Sequence, residues 1–284
     1  MSKNKISKSE KELLKLEKRA LKEKRKQELK EFKRENSFLE RFKKKLIRDK
    51  VNKKKEEKRE KIRALNAPPK LSLSEELFNS ITHGVGALFG ALALVLMILK
   101  SKDVYSYIAS FFYGVSIIFM MVNSCLYHSF KSESKVKALW RRFDYLSIYT
   151  LIGGTFAPLF LIFLKNALGG SLGSTLGLVL FCVQWGLIVF GITMVSIYGA
   201  GRLKGLYYTL YFVLGWIGIL FIPLFIKHNI NLLYWILGGG VIYTLGMIPF
   251  AALKNRRYGH VIWHFFVLAG CVTQWLGIYF ELYC

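Results

Sequence analysis

The stretch HVIWHFFVLAGCVTQWLGIYFEL, residues 260–282, decides the fold class. It is 23 residues long and contains no Lys or Arg. A helix rises about 1.5 Å per residue, so about 20 residues cross a hydrocarbon core of roughly 30 Å. In lipid, backbone N–H and C=O groups must be paired within the spanning element, which favours a helix over an irregular segment. The stretch therefore predicts a transmembrane helix.

Six further apolar runs of similar length precede this stretch, and short polar breaks separate them. Hydrophobic residues make up 53% of the 284 residues, more than in typical soluble domains. We predict an all-α membrane protein, a bundle of seven transmembrane helices with an N-terminal charged helical extension. The predicted spans are 78–99, 105–129, 143–164, 175–198, 206–226, 232–253 and 260–282.

Residues 1–70 differ sharply in composition from the rest of the chain. They hold 28 Lys and Arg residues and 12 Asp and Glu residues, a net charge of +16. Residues 71–284 hold 14 Lys and Arg residues and 6 Asp and Glu residues. The change falls at Ala67-Pro68-Pro69, so we predict a basic cytoplasmic arm at 1–70 and a seven-transmembrane domain at 71–284. The arm is expected to be partly helical or disordered. Its apolar residues recur at spacings that suit one helix face: Leu29, Phe32, Leu39, Phe42 and Leu46.

A solvated arm is the simplest interpretation of this charge pattern. The alternative is contact with anionic lipid headgroups, to which each near-surface basic residue contributes up to about 1 kcal/mol. Nucleic acid is not favoured as a partner, because the arm has no aromatic and basic recognition motif. The four cysteines show no paired spacing, so no disulfide framework is predicted.

The distribution of Lys and Arg between alternate loops predicts the orientation. Cytoplasmic loops carry an excess of these residues. With the N-terminus inside, the inner loops of the seven spans hold ten, among them Lys137, Arg141, Arg142 and Lys254, and the outer loops hold four. We therefore expect a cytoplasmic N-terminus and an external C-terminus.

Topology then brings scattered histidines to one depth. His83 lies early in span 1 and His128 at the end of span 2, while Asp144 opens span 3 and His260 and His264 open span 7. All five residues are expected near the cytoplasmic face. Ionisable groups within spans are costly, usually face the bundle interior and mark functional sites.

Spacing along each helix adds to this grouping. An i,i+4 or i,i+3 pair leaves the same helix face, so a pair of imidazoles at that spacing can reach one metal ion. Three neutral imidazoles with an open fourth position form a common zinc site. A single histidine at a helix end, however, more often lies at the membrane interface or forms a hydrogen bond. Spacing alone does not decide between a zinc site and such a histidine. The sets on one face are His260 with His264, Ser124 with His128, and Glu76 with Asn79 and His83.

Three ordered motifs resemble the haemolysin III family, which belongs with the progestin and adipoQ receptors and more distantly resembles the alkaline ceramidases. The resemblance covers residues 74–284 and leaves the basic arm outside. The motifs are Glu76-x-x-Asn79-x-x-x-His83, then Ser124-Cys-Leu-Tyr-His128 followed by Asp144, then His260-Val-Ile-Trp-His264.

The resemblance implies a role for each residue of these motifs. His128, His260 and His264 would be zinc ligands, with Ser124 and Asp144 close by as water-binding partners. Glu76, Asn79 and His83 match a family motif that we interpret as a network bracing the site. Cys125 is expected to serve packing, because the pattern already supplies three ligands.

The first functional hypothesis is a zinc-dependent intramembrane hydrolase that cleaves an amide or ester bond of a membrane lipid. Zinc would lower the pKa of a bound water molecule, and Asp144 would accept the proton of that water. Ser124 would donate a hydrogen bond to the developing oxyanion. The reaction class comes by analogy with ceramidase relatives.

Two alternatives belong to other classes of protein. One is a non-catalytic, zinc-stabilised membrane sensor or regulator, and the other is a pore-forming haemolysin, which long, continuous apolar spans disfavour. The Lys-rich composition and the family type suggest a multi-pass protein of a bacterial cell membrane.

Overall fold

The fold is given by a computed structural model that describes residues 8–253 and 256–284. Within these two ranges the regular secondary structure is helical, with no strand. We number the helices α1 (Lys8–Asn66), α2 (Leu73–Lys100), α3 (Val104–Ser129), α4 (Lys135–Leu168), α5 (Gly170–Tyr198), α6 (Lys204–His228), α7 (Ile230–Ala252) and α8 (Gly259–Leu282).

Helices α2 to α8 are long and apolar enough to cross a membrane. They number seven within the described ranges, and each contains the greater part of one span predicted from the sequence. The predicted all-α fold with seven spans is therefore confirmed. Their order brings the end of α3 and the starts of α2, α4 and α8 to the same end of the bundle, which we call the site end.

The described chain forms two compact units, one ending at Arg63 and the other comprising Ala64–Cys284. Helix α1 is 59 residues long and belongs mainly to the first unit. Its side chains are exposed almost throughout, including the apolar series from Leu29 to Leu46.

Local sequence explains where the first two spans begin. The Ser72 hydroxyl accepts a hydrogen bond from the Glu75 backbone N–H at 3.4 Å, and the Ser72 backbone N–H donates to the Glu75 carboxylate at 3.0 Å. Asp103 and Ser106 form the same reciprocal arrangement at the start of α3. Such capping boxes pair backbone N–H groups that have no partner within the helix.

Helix α4 begins at Lys135, eight residues before the predicted span at 143. The basic residues Lys137 and Arg141, counted above as loop residues, lie on this helix and are buried. Their side chains have partners inside the protein, so their charges do not force them into a solvated loop. Lys254, counted in another inner loop, lies outside the described residues.

Close approach of α2 and α3 depends on glycine. A β-carbon at residue 114 would lie 2.6 Å from the Leu94 β-carbon and 2.9 Å from the Leu94 α-carbon. Real β-carbons essentially never approach other atoms this closely, and the α-carbon cannot move aside like a flexible side chain. Small residues at such contacts let helix backbones approach within a membrane.

We expect Gly114→Leu to destabilise the bundle, because overpacking typically costs about 1–3 kcal/mol. Gly186→Leu is the matched control, since a β-carbon there has no neighbour within 4 Å. The measurement is the thermal unfolding midpoint of the detergent-solubilised proteins. Equal midpoints for the two variants would show that the α2–α3 contact is looser than described.

The orientation remains a prediction, and Cys284 offers a test because it is exposed at the end of the chain. With the C-terminus outside, a membrane-impermeant maleimide added to intact cells should label the protein. Cys284→Ser should lose this labelling. Labelling of Cys284 only after the membrane is opened would reverse the orientation.

Candidate metal centre

Three histidines converge at the site end of the bundle. His128 comes from the last turn of α3, and His260 and His264 come from the first turns of α8. One ring nitrogen from each lies within 4.8 Å of those of the other two, and the Nε2 atoms of His260 and His264 are 3.2 Å apart. His128 and His264 are buried, and His260 is half-buried. This group can hold a metal ion.

The back of the His128 ring is held by a carboxylate. The His128 Nδ1 atom is 2.7 Å from Glu76 Oε2. A carboxylate can only accept, so Nδ1 carries the proton and the Nε2 lone pair remains available. Within the described chain, the buried Nε2 has no hydrogen-bond partner. A histidine ligand whose second nitrogen donates to a carboxylate is the usual arrangement around metal ions.

The same carboxylate pairs with Lys137, which sequence analysis treated only as an inner-loop charge. Lys137 Nζ is 2.7 Å from Glu76 Oε1 and donates to the Tyr127 and Phe130 carbonyl oxygens at 3.0 Å each. The lysine side chain is fully buried. A signal was available in the sequence, because Lys137, Arg141 and Asp144 follow the i, i+4, i+7 spacing of one helix face.

Asn79 and His83 lie beside the three histidines on α2. The Asn79 Nδ2 atom is 3.4 Å from His128 Nδ1. The His83 ring stacks on His264, with ring centroids 3.8 Å apart. Both residues are buried. The face of α2 formed by Glu76, Asn79 and His83 therefore contacts two of the three converging rings.

The start of α8 is fixed by a contact that the sequence pattern does not reveal. The Tyr258 backbone N–H donates to Glu75 Oε1 at 2.8 Å, and Tyr258 has a φ of +64°, in the left-handed region. Non-glycine residues rarely adopt this conformation. Since His260 follows two residues later, the link between α2 and Tyr258 positions the first histidine of α8.

Ser124 and Asp144 lie at the wall of a cavity that also reaches His83, His260 and His264. The Ser124 side chain interacts electrostatically with the Asp144 carboxylate. The structure thus brings all eight residues singled out from the sequence to one end of the bundle. His228 is exposed at the end of α6, and Cys125 contacts Ser80 at 3.4 Å, outside the three-histidine group.

The cavity has a volume of about 690 Å³, within the range of small-molecule sites. It extends from Lys204, the first residue of α6, to Phe225 near the end of the same helix. At about 1.5 Å per residue, this separation is roughly 30 Å. Most of the lining is apolar, including Met120, Leu159 and Val267. The charged side chains and the histidines of the lining lie at the site end.

The fold and this site define a class of protein, a seven-span membrane protein with a histidine-rich centre at one end of the bundle. The haemolysin-III-related family matches residues 71–275. The chain belongs to this family, as the resemblance indicated.

Two bacterial relatives support this assignment. The chain is 35% identical over 220 residues to a "Hemolysin-3 homolog" of Bacillus subtilis (strain 168), covering 75% of this chain and 96% of the relative. It is 34% identical over 215 residues to "Hemolysin-3" of Bacillus cereus, covering 73% and 92%. Together with the seven apolar helices, these relatives indicate a multi-pass protein of the bacterial cell membrane.

We expect His264→Ala to abolish metal binding and Glu76→Gln to weaken it about 10- to 100-fold, because the amide holds the His128 ring less firmly than the carboxylate. His228→Ala is the control and should bind like wild type. The measurement is metal content of the purified proteins by elemental analysis, followed by chelator competition. Equal metal content in His264→Ala and wild type would exclude this centre.

Proposed function

We propose that this protein is a zinc-dependent hydrolase that cleaves an amide or ester bond of a membrane lipid inside the bundle. One observation carries the proposal: a three-histidine group, a carboxylate and a hydroxyl lie at one end of a single, mostly apolar cavity. The histidines supply metal ligands, the carboxylate can accept a proton, and the apolar cavity suits an acyl chain.

The donor set fits zinc. Ligands about 2.0–2.1 Å from a tetrahedral zinc ion lie about 3.4 Å from one another. The 3.2 Å between the His260 and His264 Nε2 atoms is close to that separation, and the His128 nitrogen lies within 4.8 Å of both. Three imidazoles leave the fourth position open, as in catalytic rather than closed structural sites. His128, His260 and His264 would hold the ion.

Bound zinc would supply a Lewis acid that activates water and polarises the substrate carbonyl. Asp144 would take the proton from the attacking water and deliver it to the leaving nitrogen or oxygen, so that the elements of water are added across the broken bond. Ser124 would donate to the oxygen that becomes negative. Glu76 would keep the His128 proton on Nδ1 and the ring in place.

The cavity would orient the lipid. An acyl chain lying along the apolar wall towards Phe225 places its carbonyl end at the polar site end, near Ser124 and Asp144. Water would arrive from the same end. A substrate held in this way has its reacting atoms aligned before the reaction, which lowers the entropic part of the barrier.

A second candidate function is a sensor or regulator with structural zinc. It is favoured because the residues of the centre come from three helices: the histidines from α3 and α8, and Glu76 from α2. A metal ion there would fasten α3 to α8. The two functions differ in what they require of Asp144, which contributes no ligand to the three-histidine group.

We expect Asp144→Asn to reduce lipid hydrolysis by about 10²- to 10⁴-fold, because the amide cannot accept a proton. Metal content should stay at the wild-type level. Asp103→Asn is the matched control, since Asp103 caps α3 at the opposite end of the bundle. The measurement is fatty acid release from a panel of lipid amides and esters by the zinc-loaded proteins.

The panel also decides between the two functions. Folded, zinc-loaded wild type that releases no fatty acid from any lipid would contradict the hydrolase and leave the structural role. Equal turnover by Asp144→Asn and wild type would contradict the role given to Asp144.

A further inference from the structure

The charged side chains of helix α1 are sorted around the helix axis. Successive residues of an α-helix lie about 100° apart around the axis, which places each residue in a known sector. Between Glu12 and Arg63 the helix has 23 Lys and Arg residues, and 15 of them fall within one sector of about 140°. Only 3 of the 11 Asp and Glu residues share this sector. We call it the basic face, and its centre is marked by Arg19, Lys30, Arg48 and Lys55.

The remaining carboxylates collect on another side of the same helix. Eight of the 11 Asp and Glu residues lie within a sector of about 100° that also holds two Lys residues. The formal charge is therefore +12 on the basic face and −6 on the acidic sector. All of these side chains are exposed. Within the described residues 12–63 a single ion pair is present, between Arg59 and Glu56 at 3.6 Å, and exposed pairs contribute little. The basic face is thus available to a partner.

The separation of the two kinds of charge matters because salt screens them. A helix with its side chains is about 10–12 Å across, and the Debye length at physiological ionic strength is about 8 Å. When the basic face meets a negatively charged surface, the acidic sector lies more than one Debye length away from it. The repulsion of the acidic residues is then largely screened, while the attraction of the basic residues is retained. The sorted charges therefore give α1 one side that is attracted to an anionic surface.

The chain connection brings a membrane surface within reach of this face. Helix α1 ends at Asn66, and the first span, α2, begins at Leu73. Six residues join them, and a residue spans at most about 3.6 Å, so the end of α1 lies within roughly 25 Å of the start of the span. Anionic lipids give a membrane surface a negative potential that attracts basic segments next to a span. Because the arm is tethered, it meets this surface at a high effective concentration.

Other partners fit the basic face less well. The bases of single-stranded nucleic acid stack on aromatic side chains, but Phe32, Phe38 and Phe42 all lie outside this face. A second copy of the chain presents the same positive face, and like charges repel. Insertion into lipid would require the apolar side of the helix, where Leu39 and Leu46 lie opposite the basic face and among the acidic residues. These observations favour lipid headgroups that are bound through charge.

We propose that α1 lies along the membrane surface with its basic face against the phosphate groups of anionic lipids. The face extends from Lys15 to Arg63, which is roughly 72 Å at 1.5 Å per residue. The arm lies outside residues 71–275, which the family matches, so this surface is not part of the family domain. The inference does not depend on the proposed hydrolase. Because the contact is electrostatic, it weakens as salt is added.

The test uses the full chain in vesicles of phosphatidylcholine, or of equal parts phosphatidylcholine and phosphatidylglycerol. A nitroxide is attached at Ser37→Cys on the basic face, or at Leu39→Cys, about 160° away around the axis. The native cysteines that are not buried, Cys125, Cys182 and Cys284, are replaced by serine. Power saturation in electron paramagnetic resonance measures how far each nitroxide is accessible to a water-soluble nickel complex, which is present on both sides of the membrane.

We expect the anionic vesicles to shield the nitroxide at residue 37 from nickel and to leave the nitroxide at residue 39 accessible. The shielding should be lost at about 1 M salt, where the Debye length falls to about 3 Å. Two variants with six changes to Gln, which keeps a high helix propensity, separate the basic face from the total charge. The first should lose the shielding and changes residues of the basic face: Lys26, Lys30, Lys33, Lys44, Lys45 and Arg48. The second should keep the shielding and changes residues outside it: Lys18, Arg25, Lys43, Lys50, Lys54 and Lys61.

Four outcomes would overturn the proposal. Equal nickel accessibility of residue 37 in the two kinds of vesicle would exclude binding to anionic lipid. Stronger shielding of residue 39 than of residue 37 would assign the contact to the apolar side of the helix. An equal loss of shielding in the two Gln variants would assign it to total charge. Release of the arm from anionic vesicles by single-stranded RNA, at a phosphate concentration equal to that of the phosphatidylglycerol, would make nucleic acid the preferred partner.

Discussion

The carboxylate of Glu76 joins three helices at the site end of the bundle. It accepts from His128 on α3 and pairs with Lys137 on α4, while it belongs to α2 itself. The Lys137 ammonium forms an ion pair with Glu76 and donates hydrogen bonds to the Tyr127 and Phe130 carbonyls at the end of α3. These carbonyls have no partner within α3, so the lysine also caps that helix. Removing one partner of such a buried pair typically costs about 3–5 kcal/mol.

The position of this network separates the interior into two parts. Charged side chains and histidines collect at one end, and the remaining length of the cavity is mostly apolar. A lipid has the same division, with a polar head next to its ester or amide bonds and a long apolar chain. This complementarity is the physical basis of the proposed lipid chemistry at this centre.

The sequence was informative wherever the constraint is local. A span must pair its own backbone groups in lipid, so the length and composition of each apolar run predicted one helix. Helical spacing likewise predicted which side chains share a face, as for His260 and His264 or Glu76 and Asn79. The start of α4 was missed because Lys137 and Arg141 look like loop charges until their partners, Glu76 and the Ala67 carbonyl, are known.

By itself, the sequence determined seven spans, a composition boundary after the basic arm and a set of histidines at one depth, because helix length and loop order require no knowledge of neighbouring helices. Only the tertiary structure decided that the rings of residues 128, 260 and 264 converge, that Glu76 serves both a histidine and a lysine, and that Tyr258 is held by Glu75. These features depend on the rotation and close packing of helices against one another. Side chains distant in the sequence set that packing together, and no single span encodes it.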